Sequence, residues 1–270
     1  MGKTRLGIFS FTGCAGEQLV ILECGAKLFE LYEVAEIKAF NIAQDASLNT
    51  PGKSLDIALL EGSITTEVQK DELIKIRANT KIVVAMGTCA CFGGVQASKS
   101  GEGNWEERFK KVYGTSSKLF RAMQPFESAP CNAFVKIDHY IPGCPVDKKQ
   151  LISSLARLLN NATPQLYKFP VCTECKWQEN ECLLLRNELC LGPITRGGCS
   201  AVCPSLNLPC VGCWGGADSP NISSEYKLLT EKKFSNAEIQ HKFSKFGSMA
   251  MIEELSKIKN HCRASSATPE

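Results

Sequence analysis

The chain has 270 residues, 44% of them hydrophobic, which is enough to bury a substantial core in one large domain or two small ones. Its 31 basic and 28 acidic residues nearly balance, and no basic stripe marks a nucleic-acid partner. No apolar run approaches a membrane span, the opening MGKTRLGIFSF reads as a lead into a strand rather than a signal peptide, and Leu6 stands where a myristoylation motif has serine or threonine.

Residues 5–11 form a short apolar run, the pattern of a buried strand. The turn TGCAGE follows, with two glycines around Cys14. Leu19, Leu22, Ala26, Phe29 and Val34 then carry helical spacing over Gln18 to Glu33. Strands are predicted at 36–43 and 55–63, the latter ending in Glu61-Gly62, and an amphipathic helix over 66–80. Residues 81–94 read as a strand that breaks into the turn GTCACFGG. Residues 100–132 read as polar and irregular, with a short helix at 105–113. Residues 135–161 give a strand, a turn holding Cys144 and a closing helix. This alternation of strand and helix predicts a parallel, doubly wound α/β sheet. Three turns at strand ends then carry cysteine, at Cys14, Cys89 and Cys144, each beside glycine. A parallel sheet gathers such turns along one edge, where ligands collect. Cys24, Cys91, Cys131 and Cys262 lack that setting and are assigned to packing.

The alternation stops at Thr163-Pro164. Eight of the 15 cysteines then fall within 172–213, at Cys172, Cys175, Cys182, Cys190, Cys199, Cys203, Cys210 and Cys213. An odd total with no export signal argues for metal ligation in a reducing compartment rather than a disulfide framework. The three histidines, His139, His241 and His261, all lie outside this segment, which argues against mixed Cys/His zinc fingers. Eight thiolates suit two four-cysteine sites. Two structural zinc sites are one reading, supported by the C-x2-C pairs at 172/175 and 210/213. The single cysteines between those pairs, and the ending Cys199-Ser-Ala-Val-Cys203-Pro204, favour two [4Fe–4S] clusters. Spacing does not say which cysteines share a cluster. The segment has no long amphipathic pattern, so metal bonds are expected to carry much of its fold. Helices are predicted within 235–260, starting on a Ser235 cap, and ASSATPE at the end is expected to be disordered.

A third cluster at Cys14, Cys89 and Cys144 lacks a fourth thiolate. Glu17 and Glu61 both sit on strand-end turns and are candidate ligands. Cys91, two residues from Cys89, is a third candidate but is awkwardly placed. A three-iron cluster or an open iron site also satisfies three cysteines.

The motifs FTGCAGEQL, EGSI at 61–64, GTCACFGG at 87–94 and PGCPVD at 142–147 resemble the small subunit of [NiFe] hydrogenases and the related 20-kDa-type subunit of respiratory NADH dehydrogenase. The segment CTECKWQENECLL followed by CLGPITRGGCSAVCPSLNLPCVGCWGG resembles the group-3 multimeric enzymes: F420-reducing and F420-non-reducing hydrogenases and the sulfhydrogenase delta subunit. The resemblance covers about residues 5 to 216. It implies a flavodoxin-like domain over 1–163 with a proximal cluster on Cys14, Cys89 and Cys144. It further implies a ferredoxin-like domain over 164–218 with two [4Fe–4S] clusters on the eight later cysteines, and a helical segment and tail over 219–270. The implied function is electron transfer, without catalysis by this chain alone. Electrons would pass from a Ni–Fe centre in a large subunit to a subunit holding FAD, FMN or iron–sulfur clusters, in the cytoplasm. The family's first motif carries two cysteines; here Phe11 or Glu17 stands in place of one, depending on the frame. Some F420-type relatives use a carboxylate from the third-strand loop, which makes Glu61 the expected fourth ligand, with Glu17 next. Other readings are the same relay beside a large subunit that has lost nickel, a zinc scaffold, and a nucleotide-binding enzyme. TGCAGE lacks the G-x-G-x-x-G pattern that the last of these needs.

Overall fold

The computed structural model describes residues 2–43, 54–98, 103–114, 122–246 and 255–257. The chain divides into two compact units, the first spanning Met1–Ala97 and Gly101–Leu166, the second built mainly from Tyr167 onward.

The first unit runs β1 (Thr4–Ser10), α1 (Gly16–Leu22), α2 (Ala26–Val34), β2 (Ala35–Phe40), β3 (Leu55–Glu61), β4 (Ile64–Thr66), α3 (Glu67–Ala78), β5 (Thr80–Met86), α4 (Gly87–Phe92), α5 (Trp105–Tyr113), β6 (Pro125–Ala129), β7 (His139–Ile141) and α6 (Lys148–Leu159). The main sheet is parallel throughout, in the order β2-β1-β3-β5-β7. Counting only its own five strands, that is 2-1-3-4-5, the flavodoxin-like order. β4 and β6 form a separate antiparallel pair.

The apolar runs of β1, β3 and β5 are buried on both faces because alternate residues feed two cores. Leu6, Ile8, Ile57, Leu59, Val84 and Met86 meet α1, α2 and α6 through Ile21, Leu31 and Leu151. Phe9, Ala58, Leu60, Val83 and Ala85 point the other way, against Leu73 and Ile76 of α3 and Ala90 of α4. Thr66 and Asp147 cap α3 and α6 by accepting from the Gln69 and Gln150 amides.

Two local expectations change. The helix expected over 18–33 is two helices, broken at 23–25, where Gly25 has φ +55°. The break resets the helical phase. Leu19, Leu22, Phe29 and Val34, which carried the spacing, are exposed, and Val20, Ile21 and Leu31 are buried instead. Cys24 falls in the break rather than inside a helix. The stretch 100–132 also contains β6, whose pairing with β4 no local periodicity announces.

The second unit has α7 (Val171–Trp177), α8 (Val202–Ser205), α9 (Ile222–Glu231) and α10 (Asn236–Ser244), joined by turns and isolated bridges at Pro170–Arg196 and Thr195–Gly216. α9 precedes the 235–260 stretch where helices were read from the sequence and lies within the helical segment that the resemblance implied over 219–270. Ser235 caps α10 with a full capping box completed by Glu238. The core joins Val171, Leu191 and Ile194 of the cysteine segment to Ile222, Leu229, Ile239 and Phe243, with Cys190 and Cys210 among them. Apolar packing by α9 and α10 thus supplements whatever metal bonds contribute. Cys262 and the ASSATPE tail lie outside the described residues.

Candidate metal centres

The register of the parallel sheet builds the first site. Ser10 pairs with Glu61, Glu61 with Met86, and Met86 with Ile141, so four strands end in one row. Cys14 follows β1 by four residues, Cys89 follows β5 by three, and Cys144 follows β7 by three. Glu61 is the last residue of β3, and Glu17 lies in the first turn of α1. The Thr88 amide donates to the Gly143 carbonyl at 2.8 Å, which ties the Cys89 helix to the Cys144 turn. Thr12 and Ser63 exchange backbone hydrogen bonds at 2.8 and 3.0 Å, tying the Cys14 turn to the residues after Glu61.

Cys14 and Cys144 are exposed, while Glu17 and Glu61 are buried at 3% and 1% exposure. Burial pushes the Cys89 thiol up to about 11, and Glu17, Cys144 and Cys14 add to the rise by their charge. Burial also raises Cys144, which feels Glu17 and Cys14. The three thiols and Glu17 therefore share one electrostatic environment. Glu61 lies against Glu17. Burial, then the neighbouring Glu61 carboxyl, pushes the Glu17 carboxyl up to about 8. Gln18 Nε2 donates to Glu61 Oε2 at 2.8 Å, whereas Glu61 Oε1 has no hydrogen-bond donor.

Glycines give the sulfurs room. A Cβ at Gly94, where φ is +70°, would fall 2.6 Å from Cys89 Sγ. One at Gly87, φ +81°, would strike the Glu17 carboxyl at 2.3 Å. Gln96 lies over the same site, donating from Nε2 to the Thr12 carbonyl at 2.8 Å and to Ser63 Oγ at 3.0 Å. Cys91 is buried away from the strand-end row and donates to the Ala85 carbonyl, and Cys131 does likewise to that of Gly62. Both are packing residues.

In the second unit, Cys172, Cys175, Cys182 and Cys190 line one small cavity with Val171, Leu183, Leu184 and Gly192. Burial pushes Cys172 up to about 12, and Cys190, Cys175 and Cys182 then raise it by repulsion. Cys199 is raised by burial, with a contribution from Cys203. Cys210, pushed up to about 12 by burial, feels both Cys190 and Cys199. The Cys210 amide donates to Cys190 Sγ at 3.3 Å, joining the two groups of cysteines. Glu174 accepts from the Gly198 amide at 2.9 Å and reaches Cys199 Sγ at 4.0 Å.

Buried thiols that repel one another are a poor arrangement for ionised sulfur unless a cation joins them. Among the described residues no three His, Cys, Asp or Glu side chains are gathered tightly enough to hold one metal ion. A cube of iron and sulfide spreads its four ligands over four metal atoms. The thiolate-rich donor set, the glycine room around sulfur and the donor-free oxygen of Glu61 all fit such a group. Sequence reasoning missed Gln18, Gln96, Glu174 and the buried Glu225, because nothing in local spacing separates them from surface polar residues.

Residues 14–158 match the family described as the 20 kDa subunit of NADH ubiquinone oxidoreductase. Sulfhydrogenase 2 subunit delta of Pyrococcus furiosus is 35% identical over 228 residues, covering 84% of this chain and 92% of that protein. The chain belongs to the small-subunit family of group-3 hydrogenases. Another relative in this family, a subunit of the vhu F420-non-reducing hydrogenase of Methanocaldococcus jannaschii, is 34% identical over 243 residues, covering 79% of this chain and 82% of its own. The fold is also that of a chain of the actinobacterial-type NiFe-hydrogenase from Ralstonia eutropha H16, with a TM-score of 0.57 over 99% of this chain and 92% of that one at 15% identity. Among the described residues no helix is long and apolar enough to cross a membrane.

Proposed function

We propose that this chain is the electron-transfer subunit of a [NiFe] hydrogenase complex, working between a large subunit that holds the Ni–Fe centre and a partner that holds FAD, FMN or iron–sulfur clusters. The observation that carries the reading is the single row of strand ends, Ser10, Glu61, Met86 and Ile141, that delivers Cys14, Cys89 and Cys144 beside a buried carboxyl pair. A cytoplasmic location and a small ferredoxin-like second domain belong to the same proposal.

Cys14, Cys89 and Cys144 would hold the inner [4Fe–4S] cluster, with Glu61 as fourth ligand. Gln18 anchors one oxygen of Glu61 and leaves the other without a donor, as a preoriented ligand requires. Glu17 is the alternative ligand because Cys89 and Cys144 lie in its field. The shared cavity supports grouping Cys172, Cys175, Cys182 and Cys190 around one outer cluster, which leaves Cys199, Cys203, Cys210 and Cys213 for the other. Such clusters, when bound, exchange single electrons at potentials set by charge, hydrogen bonds and burial.

The test is EPR on the chain in complex with its large subunit, frozen under hydrogen and under argon. Reduced-cluster signals under hydrogen alone support the reading. Signals that dithionite raises but hydrogen does not would contradict it.

A further inference from the structure

Glu174 lies on α7 between Cys172 and Cys175, yet its carboxyl reaches a different cysteine. Oε1 accepts from the Gly198 amide at 2.9 Å, and Oε2 lies 4.0 Å from Cys199 Sγ. The turn it reaches is already fastened to the start of α7. The Val171 amide donates to the Thr195 carbonyl at 2.8 Å, and the Gly197 amide donates to the Phe169 carbonyl at 2.8 Å. The backbone therefore holds the Cys199 turn beside α7, and the Gly198 amide fixes one carboxyl oxygen while the other faces sulfur.

Capping the Gly198 amide is the simpler role, and a neutral glutamine would fill it as well. A carboxylate adds charge. The arginine of this turn, Arg196, is engaged elsewhere: it pairs with Asp218 at 2.7 Å and donates to the Tyr167 carbonyl at 2.7 Å. As a thiol, Cys199 can donate its proton to Oε2. Once that proton leaves so that sulfur can bind iron, two negative groups face each other across 4.0 Å with no hydrogen between them. Both residues are half-buried, so water and salt screen the pair less than they would at the surface.

We propose that Glu174 sets the potential of the outer cluster bound through Cys199. An electron added to a cluster adds negative charge, and a carboxylate beside one of its ligand sulfurs opposes that gain, so the potential is lowered. The reduced cluster is then a stronger donor to the next station of the relay. The proposal rests on the reading of Cys199 as a cluster ligand. It does not depend on which other cysteines share that cluster.

The test is an EPR-monitored redox titration of the chain in complex with its large subunit, following the signal that Cys199→Ser removes or displaces. Glu174→Gln keeps the shape of the side chain and the acceptor for the Gly198 amide but loses the charge. It should keep that signal and raise its midpoint. The rise is read as a larger reduced fraction at a fixed potential, each tenfold change corresponding to about 59 mV for one electron. Glu174→Ala should raise the midpoint too, and the inner-cluster signal should move in neither variant. A midpoint that stays or falls in Glu174→Gln reduces the residue to a cap and overturns the proposal, even if Glu174→Ala shifts it. Where the glutamine variant loses the cluster, the alanine variant decides by the same sign, and loss from both makes Glu174 structural and overturns the proposal as well. If no wild-type signal responds to Cys199→Ser, the cluster reading fails instead, which is a distinguishable outcome.

Discussion

Glu17 and Glu61 are the residues on which the inner site turns. Three thiols converge from three strand ends, and the fourth strand end in the row supplies a carboxylate. If Glu61 ligates, Glu61→Ala should remove the inner cluster signal and its share of the iron, while both outer signals persist. Glu17→Gln, which keeps hydrogen-bonding capacity, should leave the iron content unchanged. The reverse pattern would make Glu17 the ligand. The cysteines of this site were legible in the sequence because glycine flanks each one at the end of an apolar run. The second-layer residues were not. Gln18 and Gln96 reach partners more than 20 positions away, and Glu225 occupies a helical position that on spacing alone reads like any solvated glutamate.

At the scale of elements, the sheet is held at the end opposite the site by a charge cluster. Asp56 of β3 accepts from the Arg5 amide at 2.8 Å and pairs with the Arg5 guanidinium at 3.1 Å and Lys81 Nζ at 2.8 Å, linking β1, β3 and β5. The Arg5 guanidinium, helped by Lys81 and the amide, holds the Asp56 carboxyl well below the usual carboxylate range. A depressed carboxyl contributes stability above its unfolded value, and that contribution is lost as pH falls through the folded one. Asp56→Asn should therefore cost roughly 1 kcal/mol in urea melts at neutral pH, a modest figure because the ion pair is still partly exposed. The difference from wild type should shrink in strongly acidic buffer, with iron content unaffected at neutral pH. Strands and caps here follow local rules, so most were readable. The split of the first helix was not, because glycine at 25 breaks the helix and shifts which side chains face the core. β6 escaped notice because its partner β4 is remote in sequence.

At the scale of the whole chain, one unit is a parallel sheet with a site along its carboxyl edge, and the other is a cysteine segment closed by two helices. Alternation of strand and helix was enough to foresee the first. In the second, the Ser235-capped helix was readable, but the cysteine segment offered only its cysteine spacing, because turns and very short helices leave no periodicity to read. That Cys172, Cys175, Cys182 and Cys190 line one cavity shows only once the chain is folded. The central claim is that both units carry iron–sulfur clusters. It is tested most directly by iron, acid-labile sulfide and zinc per chain in protein purified without oxygen. The account predicts about twelve iron and about twelve sulfide per chain, with no zinc. About two zinc per chain without sulfide would contradict it.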